Sequence, residues 1–206
     1  MSEPHEVADG YEQVVAGVYH WRIHNSSIGG ATSSAHAVTE GETTVFIDPL
    51  QLAPAALAEL PAPSAILLTA RCHQRSAWRY RRQFGAEVWL PQDASQADEQ
   101  PDRSYRDGEL LPGGLRALRT PGPERAHYAL LLVRPPGVLF CPDLVASNPD
   151  GELRFIPFEY HEDPEETKRS TAALLEQPFA VLCLDHGTPL TVDPKGAIRR
   201  LLASAG

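Results

Sequence analysis

The stretch from Ala65 to Pro91 constrains the fold more than any other. Ala65-Ile66-Leu67-Leu68-Thr69 is a continuous apolar run closed by a threonine, and such a run suits a strand buried on both faces. Arg75 to Phe84 then reads as a helix, with Ala77, Tyr80, Arg81 and Phe84 at helical spacing and Gly85 just beyond as its stop. Glu87-Val88-Trp89-Leu90-Pro91 follows as a second strand. Strand, helix and strand in quick order suit an α/β architecture.

Proline and glycine, at 19 and 15 residues, divide the rest of the chain into short segments. Val14 to Ile23, Ser33 to Thr39 and Thr43 to Ile47 are β-branched or alternating runs bounded by Gly29-Gly30 and Glu40-Gly41-Glu42, so they predict an antiparallel meander. Leu52 to Leu60 is a short helix that Pro54 confines to begin near that residue. Gln92 to Asp107 is polar and without periodicity, and is expected to be a surface excursion. Leu115 to Leu118, His127 to Val133 and Val138 to Phe140 predict a second sheet, the last two joined by Pro135-Pro136-Gly137. Asp163-Pro164-Glu165-Glu166 and Asp193-Pro194 each pair an N-cap with proline at the first helical position, and the second precedes an apolar face of Ala197, Ile198, Leu201 and Leu202. The element order suits two mixed sheets packed face to face with helices outside, a four-layer αββα sandwich in a single domain over 1–206.

Composition narrows the function classes. A length of 206 residues supports one substantial core. Three cysteines, an odd number, speak against a disulfide framework and for a reducing compartment, so a cytoplasmic location is expected. No run approaches a membrane span, and no membrane partner is expected. A formal net charge of -9 disfavours nucleic acid, despite the local cluster Arg71, Arg75, Arg79, Arg81 and Arg82. The free edges of the meander leave a homodimer open.

Five blocks, in order, resemble the metallo-β-lactamase superfamily. They are Thr43-Thr44-Val45-Phe46-Ile47-Asp48-Pro49-Leu50, the run Ala65 to Ala77, Thr120-Pro121-Gly122-Pro123, Leu139-Phe140-Cys141-Pro142-Asp143, and Val181-Leu182-Cys183-Leu184-Asp185-His186-Gly187-Thr188-Pro189. Phe84 to Pro91 looks like the helix end and strand between the second and third. The resemblance implies the αββα sandwich and a site on the loops after strands. It also implies a two-zinc centre held by His-x-His-x-Asp-His, a Thr-Pro-Gly-His turn, a bridging aspartate and a final His-Gly. Here Ala70, Cys72, Gln74 and Arg75 stand at the four positions of the first motif, and Pro123 at the turn. Only Asp143 and His186 stand where the superfamily's ligands stand.

A degenerate metal site is therefore expected, with Arg71, Cys72, His73, Arg75, Asp143 and His186 lining the pocket. No cofactor is expected, the alternative being one zinc on Cys72, Asp143 and His186, since thiolate, carboxylate and imidazole all bind zinc. Cys72 also reads as a small buried hydrophobe, and Asp143 and His186 as hydrogen-bonded turn residues. His127 follows the turn without being a principal ligand, and His5, His20, His24, His36 and His161 match no ligand position. Arg75, or failing that Arg71, is expected to fill the lost metal's space and pair with Asp143, because a buried carboxylate without a cation is poorly tolerated. Three functions stay open. The first is a small-ligand-binding or partner-binding pseudoenzyme. The second is an altered mononuclear or metal-independent hydrolase of an ester, thioester or phosphoester, using Cys72 or His73 with Asp143 and His186. The third is an interaction subunit with a vestigial pocket.

Overall fold

A computed structural model describes residues 3–94, 97–148 and 150–205. The chain divides into two compact units, residues 1–105 and 106–206.

The first unit is built on a seven-stranded sheet whose spatial order follows the sequence: β1 (Glu12–Val15), β2 (Val18–Asn25), β3 (Ala31–Glu40), β4 (Thr43–Ile47), β5 (Ala65–Leu67), β6 (Glu87–Pro91) and β7 (Arg103–Tyr105). Strands β1 to β4 are antiparallel and β4 to β7 parallel. The predicted run Val14 to Ile23 is in fact two strands, because Gly17 takes a left-handed φ of 71° and folds β1 back on β2. The crossovers carry helices α1 (Pro54–Leu57) and α2 (Ala77–Phe84), and Gly85 closes α2 at φ 71° with its N–H on Arg81 O.

Helix α2 begins two residues later than its periodicity predicts, since a 3-10 turn at Arg71–His73 precedes it and Arg75 adopts φ 38°. The predicted excursion from Gln92 to Asp107 contains β7, which three residues with two exposed side chains do not announce as a pattern. Tyr105 is its buried anchor, and its hydroxyl donates to Leu68 O at 2.8 Å. One face of the sheet packs Trp21, Phe46, Ile66 and Val88 against Ala56 of α1 and Ala77, Trp78 and Tyr80 of α2. Trp21 Nε1 and the Tyr80 hydroxyl both donate to Leu50 O, so these two large aromatics are buried with their polar atoms satisfied.

The second unit carries a five-stranded sheet in the order β14-β11-β10-β9-β8, formed by β8 (Leu110–Leu111), β9 (Leu115–Arg119), β10 (Tyr128–Leu132), β11 (Val138–Cys141) and β14 (Val181–Leu184). A separate ladder joins β12 (Val145–Ser147) to β13 (Leu153–Phe155). Strands β8 to β11 are antiparallel, and β14 lies parallel to β11. Both predicted caps are formed. Asp163 accepts from Glu166 N at 2.9 Å to start α3 (Pro164–Ala173), and Asp193 accepts from Gly196 N at 3.1 Å to start α4 (Pro194–Ser204). Ala197, Ile198 and Leu201 of α4 pack on Leu139, Leu182 and Leu184. Burying each large aliphatic side chain contributes about 1.5–3 kcal/mol. Among the described residues, no helix is long and apolar enough to cross a membrane.

Candidate functional site

In the first unit, β4 and β5 run parallel, so the residues that follow them, Asp48 and Thr69, leave the sheet at the same end. Asp48 sits at φ 45°, which turns its carboxylate back over the strand ends. That carboxylate accepts from Thr69 N at 2.9 Å and from the Thr69 hydroxyl, and it lies 3.2 Å from His73 Nδ1. Asp48 and His73 are 1% and 2% exposed, so this is an interior cluster. A carboxylate only accepts, so the Thr69 hydroxyl gives its proton to Asp48, and the same oxygen accepts from His73 Nδ1 at 2.9 Å.

The remaining motif positions have other tasks. Gln74 Oε1 accepts from Trp78 Nε1 at 3.0 Å and Asp98 N at 2.7 Å, while its Nε2 donates to Arg71 O at 2.9 Å. Arg75 is buried, and its Nη1 donates to Ser34 O at 2.7 Å and Asp48 O at 3.1 Å. The expected pairing of Arg75 with Asp143 joins residues of different units; what the first unit shows is a guanidinium fastening β3 to the end of β4. Ala70 is fully buried and brings no side-chain donor, and Cys72 is part-exposed.

In the second unit, the parallel register sets Cys141 opposite Leu184, so Pro142-Asp143 and Asp185-His186 emerge side by side. Asp143 adopts φ 40°, and its Oδ1 lies 3.1 Å from His186 Nε2. Asp185, at 3% exposure, completes a trio with them, and the ligand atoms of Asp143, Asp185 and His186 all lie within 4.8 Å of one another. Two carboxylates and one imidazole form a donor set that suits a divalent cation of the zinc type.

Strand β9 points the same way as β11, so Thr120 leaves the sheet at this end too. There His127 Nδ1 donates to Thr120 O at 2.7 Å, and Pro123 gives only its carbonyl, which accepts from Glu162 N at 3.2 Å. Cys141 and Cys183 are buried, and burial pushes both thiols above their ordinary range, which removes them as nucleophiles.

Motif matching points to Asp143 and His186 and passes over Asp48 and Asp185, although both stand inside the blocks that carry the resemblance. Each is the last residue of an apolar strand run, where a charged side chain has no place unless it faces a site or a partner, and that signal could have found them.

No family model matches the sequence, and no curated protein matches it. Solved structures do. The metallo-β-lactamase DIM-1 superposes with a TM-score of 0.71 at 12% identity, covering 98% of this chain and 100% of its own. FIM-1 from Pseudomonas aeruginosa, in its mono-zinc form, gives 0.73 at 14%, with 98% of both chains covered. A metallo-β-lactamase family protein from Thermus thermophilus gives 0.68 at 17%, with 94% of this chain and 79% of that one covered. These likenesses bear out the resemblance carried by the five sequence blocks at the level of architecture, and this chain, with two mixed sheets and their helices, has the metallo-β-lactamase fold.

Proposed function

We propose that the protein lacks a two-zinc centre, keeps a one-cation site at Asp143, Asp185 and His186, and uses it to bind a small ligand. The observation that carries this reading is the occupation of the loop from Ala70 to Arg75 by structural work. Both ends of the Gln74 amide are hydrogen-bonded, Arg75 brings a positive charge bonded to backbone carbonyls, and Ala70 and Pro123 bring no side-chain donor. That donor set does not fit two zinc ions. It does fit one, through the two carboxylates and the imidazole of the second unit.

A bound zinc would supply a Lewis acid and lower the pKa of water at an open position. The chain's own contribution is positional. Asp185 is buried behind the strand ends, and Ser147 N holds the His186 carbonyl at 3.0 Å, which fixes the turn that presents the imidazole. A second reading, a mononuclear hydrolase of an ester, thioester or phosphoester, is favoured by the count of three protein donors, which is the usual number in catalytic zinc sites.

Zinc content of protein purified without chelator tests the first reading. About one zinc per chain is expected, with affinity reduced on the order of 100-fold in His186→Ala and in Asp185→Asn. A wild-type protein that takes up no zinc overturns the one-cation site. Ester, thioester or phosphoester turnover that vanishes together with zinc in His186→Ala would promote the hydrolase.

A further inference from the structure

The site of the second unit has a neighbour that no motif announced. Resting on the one-cation reading, we infer that His161 is a ligand-binding residue of that site, its Nε2 accepting a hydrogen bond from the hydroxyl or amine of a small protic molecule held beside Asp143 and His186.

Chain connectivity places His161 at the right end of the sheet. Strand β13 lies against β12 with Phe155 opposite Val145, and Ile156 N donates to Leu144 O at 3.3 Å, so this segment departs from beside Asp143. A 3-10 turn at Phe158–Tyr160 follows, and the chain is then tied to the turn after Thr120, with Glu162 N on Pro123 O at 3.2 Å and Asp163 N on Gly122 O at 2.9 Å. The segment is stitched at both ends to loops that leave the same edge of the sheet as His186.

Hydrogen bonds then decide which ring nitrogen carries the proton. Thr167 Oγ1 lies 3.2 Å from Asp163 O, a carbonyl that only accepts, so the threonine hydroxyl donates there. The same oxygen lies 2.7 Å from His161 Nδ1, and its proton being spent, it accepts the Nδ1 proton. Nε2 therefore holds a lone pair. That atom is buried without a hydrogen-bond partner among the described residues, in a residue 9% exposed. An unpaired buried acceptor is costly to maintain, and such an atom calls for a partner that arrives with a ligand. Burial favours the neutral imidazole, opposed by the Asp143 carboxylate.

His161 stands outside the trio whose ligand atoms lie within 4.8 Å of one another, which suits an acceptor for the bound molecule better than a further donor to the ion. A neutral nitrogen acceptor selects O–H and N–H groups and repels the bare oxygens of carboxylates and phosphates. The class of ligand is thus a hydroxyl-, hydroxamate- or amine-bearing small molecule.

Acetohydroxamic acid titrated calorimetrically into the zinc-loaded protein is the test. His161→Ala is expected to weaken its binding about tenfold while leaving the zinc dissociation constant unchanged, the loss of one hydrogen bond. His161→Gln, which offers an acceptor oxygen, is expected to keep more of the affinity, and Thr167→Val to lose part of it while changing the 15N tautomer signature of the ring. Unchanged hydroxamate affinity in His161→Ala, or a matching loss of zinc affinity, overturns the inference and leaves the one-cation site standing. If the wild type takes up no zinc, that reading falls by itself. The same titration on metal-free protein then decides His161: weaker binding in His161→Ala supports its role, and equal or absent binding overturns it.

Discussion

Gly187 lies so close to Ser147 that a Cβ at position 187 would stand 2.1 Å from Ser147 Oγ. The same hydroxyl accepts from Thr188 N at 3.0 Å and donates to Thr188 O at 3.2 Å. The turn that presents His186 is thus clamped onto β12 by contacts that leave no room for a side chain.

Gly187→Ala combines that overlap with a φ of 120°, where residues bearing a Cβ are strained. The expected loss is on the order of 3 kcal/mol in chemical denaturation, with weaker zinc uptake because the His186 turn must shift. Ser147→Ala, which removes the two Thr188 bonds but causes no overlap, is expected to cost about 1–2 kcal/mol. A Gly187→Ala protein as stable as wild type would show that the turn is not held in this way.

Asp48 holds Thr69 and His73 in the interior of the first unit. Asp48→Ala strands the Thr69 N–H and hydroxyl, and it also puts alanine at φ 45°, so about 3 kcal/mol of stability should be lost. Asp48→Asn keeps an acceptor and tolerates the left-handed backbone, and is expected to lose less than half as much. Equal melting of the two variants would refute the assignment.

His36 is buried at 2% exposure on β3, and its pKa is held well below the ordinary 6.5 by burial first, then by the charges of His20 and Arg75. The rings of His20 and His36 are 5.2 Å apart, and Glu12 faces His20 at 2.9 Å. The unfolded chain protonates His36 near pH 6.5 while the folded chain resists, so between those two pKa values the unfolded state binds more protons. Stability is expected to be full above pH 7 and to fall as pH drops below about 6.5, by up to about 1.4 kcal/mol per pH unit. His36→Gln should flatten this slope in denaturation curves taken at about pH 7.5 and about pH 5.5, on either side of the unfolded value, and an unchanged slope would remove His36 as its source.

Arg75 fastens two carbonyls of the first unit from a buried position. Arg75→Ala is expected to cost about 2–3 kcal/mol in thermal or chemical denaturation, because both carbonyl oxygens lose a charge-assisted bond. Arg75→Lys should recover little, since a single ammonium on a flexible stem does not reproduce the guanidinium's fixed geometry.

What the sequence disclosed and what it withheld follow one physical division. Local chemistry was legible: the caps at Asp163 and Asp193, the stop at Gly85 and the apolar run at Ala65 depend on neighbours a few residues away. Elements fixed by distant contacts were not. Strand β7 exists because β6 offers it an edge and Tyr105 reaches Leu68 O, and nothing within Gln92 to Asp107 encodes that. The start of α2 moved because Arg75 is drawn inward to Ser34 and Asp48. The site divides likewise. Asp143 and His186 are found through short motifs, whereas His161 becomes a candidate only through the bonds tying its segment to Leu144 and Pro123.

The order of the strands has a consequence for when the protein becomes competent during its own synthesis. In the first sheet every strand pairs with the one made just before it, so pairing can keep pace with the ribosome and needs little loop closure. Strand β14 instead returns to β11, with Val181 opposite Val138, after β12, β13 and α3 have intervened. Asp143 therefore waits, exposed on the nascent chain, for Asp185 and His186 to emerge. On the one-cation reading proposed above, cation binding would be closed off to every incomplete chain that has not yet laid down β14, and metal uptake would be a late event that reports a finished second sheet.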